Sequence, residues 1–213
     1  MLIKDIYRKF NIPINLQEHM FRVFSIVCWL EQNWGGDFVD WHQVKKMALL
    51  HDLGNIVKFD FNNHLEFLGD ERKNLDFWKD TQKRIIKKYG PNDDKATRKM
   101  LQELKIDNQI IETIYFKRFS NSVNTLNSND WPLKILYYAD LRTLPFGIGT
   151  LEERLVDAKN RMPQYNNRPD FKDLIIACKK IEIQIQTQVK VSLKNINNNL
   201  FEMLTINPLD FGI

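Results

Sequence analysis

The helical spacing of apolar residues along almost the whole chain is the feature that most constrains its fold. Apolar side chains recur every three or four positions, as they do along one face of a helix, and strand-like alternation is nowhere sustained in the sequence. The predicted fold class is therefore all-α. The expected helices occupy about residues 15–33, 40–52, 76–89, 93–105, 107–119, 131–143, 150–160 and 170–193.

Signals at the ends of the first predicted helix support its boundaries. Asn15, followed three residues later by Glu18, resembles a capping box, in which two side chains satisfy the free N–H groups of a helix start. The pair Gly35-Gly36 is expected to end the same helix, because glycine is a poor helix former and a common residue just past a helix end.

Length and composition predict one domain. The chain has 213 residues, 43% of them hydrophobic, and no Pro-, Gly- or Ser-rich stretch is long enough to be a linker. We expect a single domain over residues 1–213, with a core at about 15–160 and a C-terminal helical extension at about 170–213. The tail from Asn195 to Ile213 is too apolar to be free in water. It should therefore dock on the helical bundle or on another subunit, which would make a homo-oligomer.

Charge and cysteine content exclude several classes of protein. A net charge of +4 is slight for a dedicated nucleic-acid binder, so we do not expect a nucleic-acid partner, but it suits a small anionic substrate. The two cysteines, Cys28 and Cys178, are too few for a disulfide framework and are expected to be reduced core residues. A signal peptide and a membrane-spanning run of about eighteen apolar residues are both lacking, so we expect no membrane partner and a cytoplasmic location.

The pair His51-Asp52 is the strongest chemical signal, because two metal-ligating residue types stand together at the end of an apolar helical run. Neighbouring side chains on a helix diverge by about 100°. Both residues can therefore reach one ion only where they face a shared cleft, and that cleft needs further ligands from elsewhere in the chain.

Two other segments can supply those ligands. His19 begins an apolar helical face that continues to Leu30, so its side chain should point inward. Asp140 ends a long apolar run, where an unpaired buried carboxylate would be costly. One divalent ion bound by His19, His51, Asp52 and Asp140 would satisfy all of these groups.

The predicted ligand set limits the identity of the metal. Two imidazoles and two carboxylates form a mixed nitrogen and oxygen set, which suits manganese, iron, cobalt, nickel or zinc better than calcium or magnesium. Helical bundles build such sites from side chains on facing helices. The expected cofactor is therefore one divalent transition-metal ion.

Each of these residues also has a structural interpretation. A histidine on an apolar face, such as His19, is often a core residue that bonds to a carbonyl group. Asp52 could cap the following helix, and Asp140 could pair with Arg142 or with a buried lysine. Each of these structural roles explains one residue, but none explains why all four metal-ligating residues stand on apolar segments.

The order of these residues resembles that of the HD-domain superfamily of metal-dependent phosphohydrolases. The resemblance covers about residues 15–160 and rests on His19, on His51-Asp52 within the segment ALLHDLGN, and on Asp140 within the segment YADLR. It implies an all-α HD-domain bundle that holds the metal site between its helices. It also implies an activity of the hydrolase class that cleaves phosphate esters.

One position departs from the pattern that the resemblance implies. In nucleotidase members of the superfamily, an acidic residue four positions after the motif histidine helps to activate water or to protonate the leaving group. This chain has Asn55 there, and an asparagine cannot carry a proton. We take Asp52, Glu18 and Asn55 as the candidate catalytic residues. Asp60 or His64 could carry the proton instead; otherwise that activity is absent.

Attack on phosphorus requires cationic side chains near the metal, because negative charge spreads over the phosphate oxygens. The candidate substrate-binding residues are Arg22, Lys58 and Arg142, each of which could equally form a surface salt bridge. The segment 56–68 should form a wall of the pocket, and the segment 142–154 should form a loop that faces the substrate.

These observations favour a metal-dependent phosphohydrolase that acts on a small phosphorylated metabolite, with a nucleotide as one candidate. The second hypothesis is a non-catalytic HD module that binds a nucleotide or a metal and acts through a partner. A di-iron oxygenase on the same fold ranks third, because the chain has only 4 histidines.

Overall fold

The computed structural model of the chain describes residues 1–161 and 168–213. Within these residues the all-α fold class is confirmed. The α-helices are α1 (Ile3–Phe10), α2 (Ile14–Asn33), α3 (Trp41–Leu50), α4 (Leu75–Tyr89), α5 (Asp93–Glu103), α6 (Asn108–Phe116), α7 (Ser122–Asn127), α8 (Trp131–Leu141), α9 (Leu151–Arg161), α10 (Phe171–Gln188) and α11 (Asn199–Glu202).

Short irregular elements connect these helices. The only sheet in the described residues is an antiparallel hairpin of β1 (Thr143–Leu144) and β2 (Gly147–Ile148), which directly follows α8. Turns of 3-10 helix occupy Asn55–Lys58, Leu65–Asn74, Phe119–Asn121, Leu193–Asn195 and Pro208–Asp210.

Helix α2 is the central element of the bundle. It packs closely against α3, and both of these helices contact α8. Met20, Val23, Val27 and Leu30 recur at the spacing of one helix face, and all four are fully buried in the core. The three segments that carry the predicted metal ligands therefore lie side by side.

The start of α2 differs from the sequence prediction. The helix begins at Ile14 rather than Asn15, and the backbone N–H of Ile14 donates to Glu71 Oε2 at 2.7 Å. Neither predicted capping side chain contributes: Asn15 Oδ1 is buried without a hydrogen-bond partner among the described residues, and Glu18 pairs with Arg22. The predicted capping box is therefore wrong, because a carboxylate from a distant segment performs the capping.

The end of α3 also differs from the prediction, since the helix stops at Leu50 and not after Asp52. His51 and Asp52 lie in the turn that follows, where Leu53 N donates to the carbonyl of Leu50 and Asn55 N to that of Asp52. Side chains that would diverge on a continuous helix can face the same cleft from such a turn.

The C-terminal tail docks on its own chain, which is one of the two arrangements that the sequence allows. The ring of Phe211 lies 5.6 Å from that of Phe24 and 5.0 Å from that of His42. Near the N-terminus, Lys4 Nζ lies 2.8 Å from Asp210 Oδ1, and Ile3 N donates to the Phe211 carbonyl. The tail thus covers the apolar side of α1 and α2.

The cysteines and the hydropathy of the helices agree with the sequence predictions. Both cysteines are free, Cys178 is buried and Cys28 is half-buried, which confirms them as reduced residues packed in or against the core. Among the described residues, no helix combines the length and the apolar character that crossing a bilayer requires.

Candidate metal centre

Three separate segments bring a histidine or an aspartate to one point in the bundle. His19 Nε2, from α2, lies 3.2 Å from His51 Nε2 and 3.2 Å from Asp140 Oδ1, at the end of α8. His51 Nε2 lies 3.6 Å from the same carboxylate oxygen. The ligand atoms of these three residues all fall within 4.8 Å of one another, which makes them a candidate metal site.

His51 is held in one orientation and one tautomer. Its Nδ1 lies 2.9 Å from the carbonyl oxygen of Ala48, and since a carbonyl only accepts, Nδ1 must carry the hydrogen. The lone pair of the neutral ring is then on Nε2, which points at His19 and Asp140. A second hydrogen bond of this kind is typical of metal-ligating histidines, because it fixes the ring and raises its basicity.

Asp52 extends this cluster to four residues. Its Oδ2 lies 3.5 Å from His19 Nε2, and its Oδ1 lies 3.6 Å from His51 Nε2. Asn55 Nδ2 donates to Asp52 Oδ2 at 2.5 Å, so this side chain orients a carboxylate and does not carry a proton. The four residues that the sequence singles out as ligands are therefore neighbours in the fold.

The separations within the cluster fit a transition-metal site. Nitrogen and oxygen ligands bound at about 2.1 Å from one ion stand about 3.0 to 3.4 Å apart. The contacts of His19 with His51 and with Asp140 are of this size, at 3.2 Å, and the other separations are slightly longer, at 3.5 to 3.6 Å. The donor atoms are two imidazole nitrogens and carboxylate oxygens, which are the ligands that these metals accept. The residues present therefore fit one divalent ion.

Gly54 allows the turn that carries Asp52 to lie directly against α5. A Cβ atom at this position would come within 2.5 Å of Thr97 N and 2.7 Å of the Asp93 carbonyl oxygen. The backbone N–H of Gly54 donates to Thr97 Oγ1 at 2.9 Å, which fastens the turn to that helix. Only glycine fits here without displacing the backbone.

Lys117 is the one residue of the centre that the sequence analysis did not single out. Its Nζ lies 2.6 Å from Asp140 Oδ2 and 3.7 Å from Asp52 Oδ1, and its side chain is only 10% exposed. It is thus a buried lysine paired with Asp140, which is the structural role that the sequence leaves open for that carboxylate. The sequence around it carries no motif, because only the packing of α6 against α8 brings it to this place.

The charges of the centre shift the pKa values of its members. Burial alone would raise the pKa of both aspartates, but His51, Lys117 and His19 lower that of Asp52 to about 2. Burial would also raise the pKa of Asp140, but this effect is outweighed, chiefly by the positive charge of Lys117, which holds that pKa well below its ordinary value. Burial lowers the pKa of His19. Near neutral pH the cluster thus presents ionised carboxylates and a neutral His19 imidazole, the forms that bind metals.

The cluster opens into a cleft of about 590 Å³. His19, Asp52 and Asp140 lie among its lining residues. The segments 56–68 and 142–154 both contribute to its walls, where the sequence predicts them. The cationic side chains that line it are Lys58, Lys117, Arg118, Arg154 and Arg168.

Of the three predicted substrate-binding residues, Lys58 lines the cleft and the two arginines do not. Lys58 Nζ lies 2.7 Å from Asp93 Oδ2 at the rim. Arg22 is buried, donating to Glu18 Oε2 at 2.8 Å and to the carbonyl of Pro145 at 3.3 Å. It secures the tip of the hairpin against α2 instead of facing the cleft.

Arg142 is the clearest difference from the sequence analysis. Its side chain is 3% exposed and donates to Gly149 O at 2.5 Å, Leu193 O at 3.3 Å and Ile196 O at 3.0 Å. A fourth bond goes to Tyr138 Oη at 2.6 Å. These four acceptors hold the guanidinium group away from the cleft. Arg142 therefore has a structural role, and its predicted role in substrate binding is wrong.

The other residues considered for proton transfer lie outside the cleft lining. Glu18 is 44% exposed and pairs with Arg22. His64 is 50% exposed and its Nδ1 lies 2.9 Å from Glu66 Oε1. Asp60 is exposed and accepts from the turn that it begins. The structure therefore does not bring these three side chains to the cluster.

The chain belongs to the HD domain family, because the sequence model of that family matches residues 16–143, more than half of the chain. The matched region contains all four clustered residues, and HD domains bind divalent metals. A comparison with curated proteins finds no match, and neither does one with solved structures.

Proposed function

We propose that this protein is a metal-dependent phosphohydrolase that cleaves a phosphate ester of a small metabolite, with nucleotides among the candidate substrates. The observation that carries the proposal is the meeting of His19, His51 and Asp140 at one point, with His19 and Asp140 lining an open cleft. Membership of the HD domain family supports the same class of chemistry.

His19, His51, Asp52 and Asp140 would hold one ion of manganese, iron, cobalt, nickel or zinc. When bound, the ion would polarise a phosphate oxygen and lower the pKa of a coordinated water. His51 contributes a fixed lone pair because Ala48 O holds its other nitrogen. Asn55 keeps the Asp52 carboxylate aimed at the two imidazoles.

Cationic side chains supply further positive charge to balance the negative charge of the phosphate group. A phosphate ester brings one to two negative charges, and Lys117 lines the cleft beside Asp140. Lys58 stands at the rim, where it can exchange its partner Asp93 for a phosphate oxygen. Positive charge placed in advance stabilises the equatorial oxygens as phosphorus is attacked.

We assign proton transfer to Asp94, which the sequence analysis did not consider. It lines the same cleft as Asp52 and is about one-third exposed, and Arg118 Nε lies 3.8 Å from its Oδ2. Burial, followed by the neighbouring charge of Asp93, raises its pKa. A carboxyl group with a raised pKa is suited to give or take a proton, which Asn55 cannot do.

The test is phosphate release by protein loaded with manganese, nickel or cobalt, from p-nitrophenyl phosphate and from a panel of nucleotides. Asp52→Asn should lower turnover at least about 100-fold, because it weakens the metal site. Asp94→Asn should lower kcat while the affinity for metal stays unchanged. Asp76→Asn, an exposed position on α4, is the matched control. Loaded protein that releases no phosphate from any substrate would overturn the proposal.

A second function is favoured by Lys117. Its ammonium already partners Asp140 and lies near Asp52, so the cluster has an internal cation of its own. A non-catalytic HD module that binds a nucleotide or metal and acts through a partner would have such a site. Tight nucleotide binding without turnover, at one metal per chain, would support this alternative. Two irons per chain would instead indicate an oxygenase.

Further expectations from the sequence stay predictions. These are the cytoplasmic location, the absence of a nucleic-acid or membrane partner, a single domain over residues 1–213, and a homo-oligomer formed through the tail.

A further inference from the structure

A second, smaller cavity of about 90 Å³ lies beside the candidate metal centre. Its apolar lining comes from the segment after α6, from α8, from α9 and from α10. The side chains concerned are Phe119, Leu141, Leu155, Ala158, Phe171 and Ile175.

This side cavity adjoins the main cleft beside the candidate metal centre. Lys117, Phe119, Asp140 and Arg154 line both spaces. A phosphate held near Asp140 and Lys117 therefore has the side cavity immediately next to it. A group attached to that phosphate through one ester oxygen could enter it.

The hydroxyl group in the cavity wall is already hydrogen-bonded within the protein, so the interior is suited to an apolar occupant. Tyr137 Oη is engaged by Ser122 Oγ at 2.6 Å and by Cys178 Sγ at 3.2 Å, so it is not free to bind an occupant. Arg154 Nε is buried and has no acceptor among the described residues. It provides a donor at the junction of the two spaces, where an ester oxygen would lie.

The size of the cavity limits the occupant. An apolar cavity of about 150 Å³ accommodates benzene. A space of about 90 Å³ is smaller and suits a compact branched chain of about three or four carbons. A nucleoside is too large for it and would have to occupy the open cleft.

We propose that the side cavity binds the apolar end of the alcohol portion of the substrate, so that the preferred substrate is a phosphate ester with a short branched alkyl group. This inference rests on the proposed function, since it takes the phosphate to bind at the metal centre. It adds the class of leaving group that the protein recognises.

The test measures binding, with phosphonates that cannot be hydrolysed. Manganese-loaded protein is titrated by calorimetry with methylphosphonate and with isobutylphosphonate. The isobutyl compound should bind at least about tenfold more tightly, because each buried methylene contributes a factor of roughly four. Equal affinity for the two compounds would overturn the inference.

Variants on α9 test whether the preference for isobutylphosphonate arises in the side cavity. Ala158→Phe fills the cavity, so it should abolish the preference for the isobutyl compound and leave the affinity for methylphosphonate unchanged. Val156→Phe, at a position that is 56% exposed on the same helix, should keep the preference. A thermal melt checks folding, and Ala158→Leu adds less volume if the larger side chain is not tolerated. A preference that survives a filled cavity would also overturn the inference.

The outcomes separate this inference from the proposed function. Selective phosphonate binding by a protein that hydrolyses no ester would leave the side cavity assigned and the phosphohydrolase rejected. Hydrolysis without selectivity would reject only the side cavity. If neither phosphonate binds, the inference about the side cavity falls, and the phosphate-release assay decides the proposed function on its own.

Discussion

The ammonium group of Lys117 lies 2.6 Å from one carboxylate oxygen of Asp140, whose other oxygen lies 3.2 Å from the imidazole of His19. One carboxylate is thus shared between an internal cation and the candidate metal ligands. Because a divalent ion would act on the same carboxylate, Lys117 and the metal are coupled through its charge.

Lys117→Met should increase the affinity for Mn²⁺ at least about tenfold, because it removes a positive charge a few ångströms from the ligands. It should also weaken phosphate binding. The measurement is competition with a chelating dye, alongside the melting temperature with and without Mn²⁺. The control is Lys58→Met, whose ammonium pairs with Asp93 at the rim and should leave Mn²⁺ affinity within about twofold. Weaker Mn²⁺ binding in the Lys117 variant would contradict this electrostatic interpretation.

Arg142→Met should lower the free energy of unfolding by about 3 kcal/mol, because buried carbonyl groups lose a charged donor. Urea denaturation followed by circular dichroism measures this loss. Arg8→Met, at an exposed position on α1, should change stability by less than about 0.5 kcal/mol. The structural role assigned to Arg142 would be wrong if its replacement preserved stability and weakened only phosphate binding.

Glu103 provides a pH-dependent test of how α1, α4 and α5 are joined. Its carboxylate accepts from Tyr89 Oη at 2.7 Å and lies 2.8 Å from Lys88 Nζ and 3.1 Å from Lys9 Nζ. Lys88, then Tyr89 and Lys9, lower the pKa of Glu103 from 4.5 to about 2. A lowered pKa in the folded state contributes stability above pH 4.5, and this contribution is lost as the pH falls towards 2.

Glu103→Gln should therefore lower the melting temperature by about 2 °C near pH 7, a small effect because the carboxylate is partly exposed. The difference from the unsubstituted protein should shrink steadily below pH 4.5. Differential scanning calorimetry between pH 7 and pH 3 follows this change, with the exposed Glu202→Gln as control. A difference that grows on acidification would have the wrong sign.

The helices could be predicted from the sequence because the spacing of apolar residues is a local property. Helix α2, predicted over residues 15–33, occupies Ile14–Asn33. The short helix α1 was not predicted, and its apolar face is buried under a tail that lies far away in sequence. Local patterns thus find long amphipathic helices and miss short ones that depend on distant partners.

The proximity of His19, His51 and Asp140 could also be predicted, because each is a polar residue on an apolar helical segment and must find a partner inside. Lys117 could not, since its position beside Asp140 results from tertiary packing. The direction of the Arg142 side chain depends on acceptors about fifty residues away, which its neighbours in sequence do not reveal.

The bonds of Arg142 also bear on how this protein should be divided for study. The family match ends at residue 143, whereas two of the acceptors of that guanidinium are the carbonyls of Leu193 and Ile196. A polypeptide cut at the family boundary would leave an unsatisfied cation at the foot of the helix that carries Asp140. Residues beyond the family match thus complete the surroundings of this helix, and an expression clone truncated at residue 143 should give insoluble material.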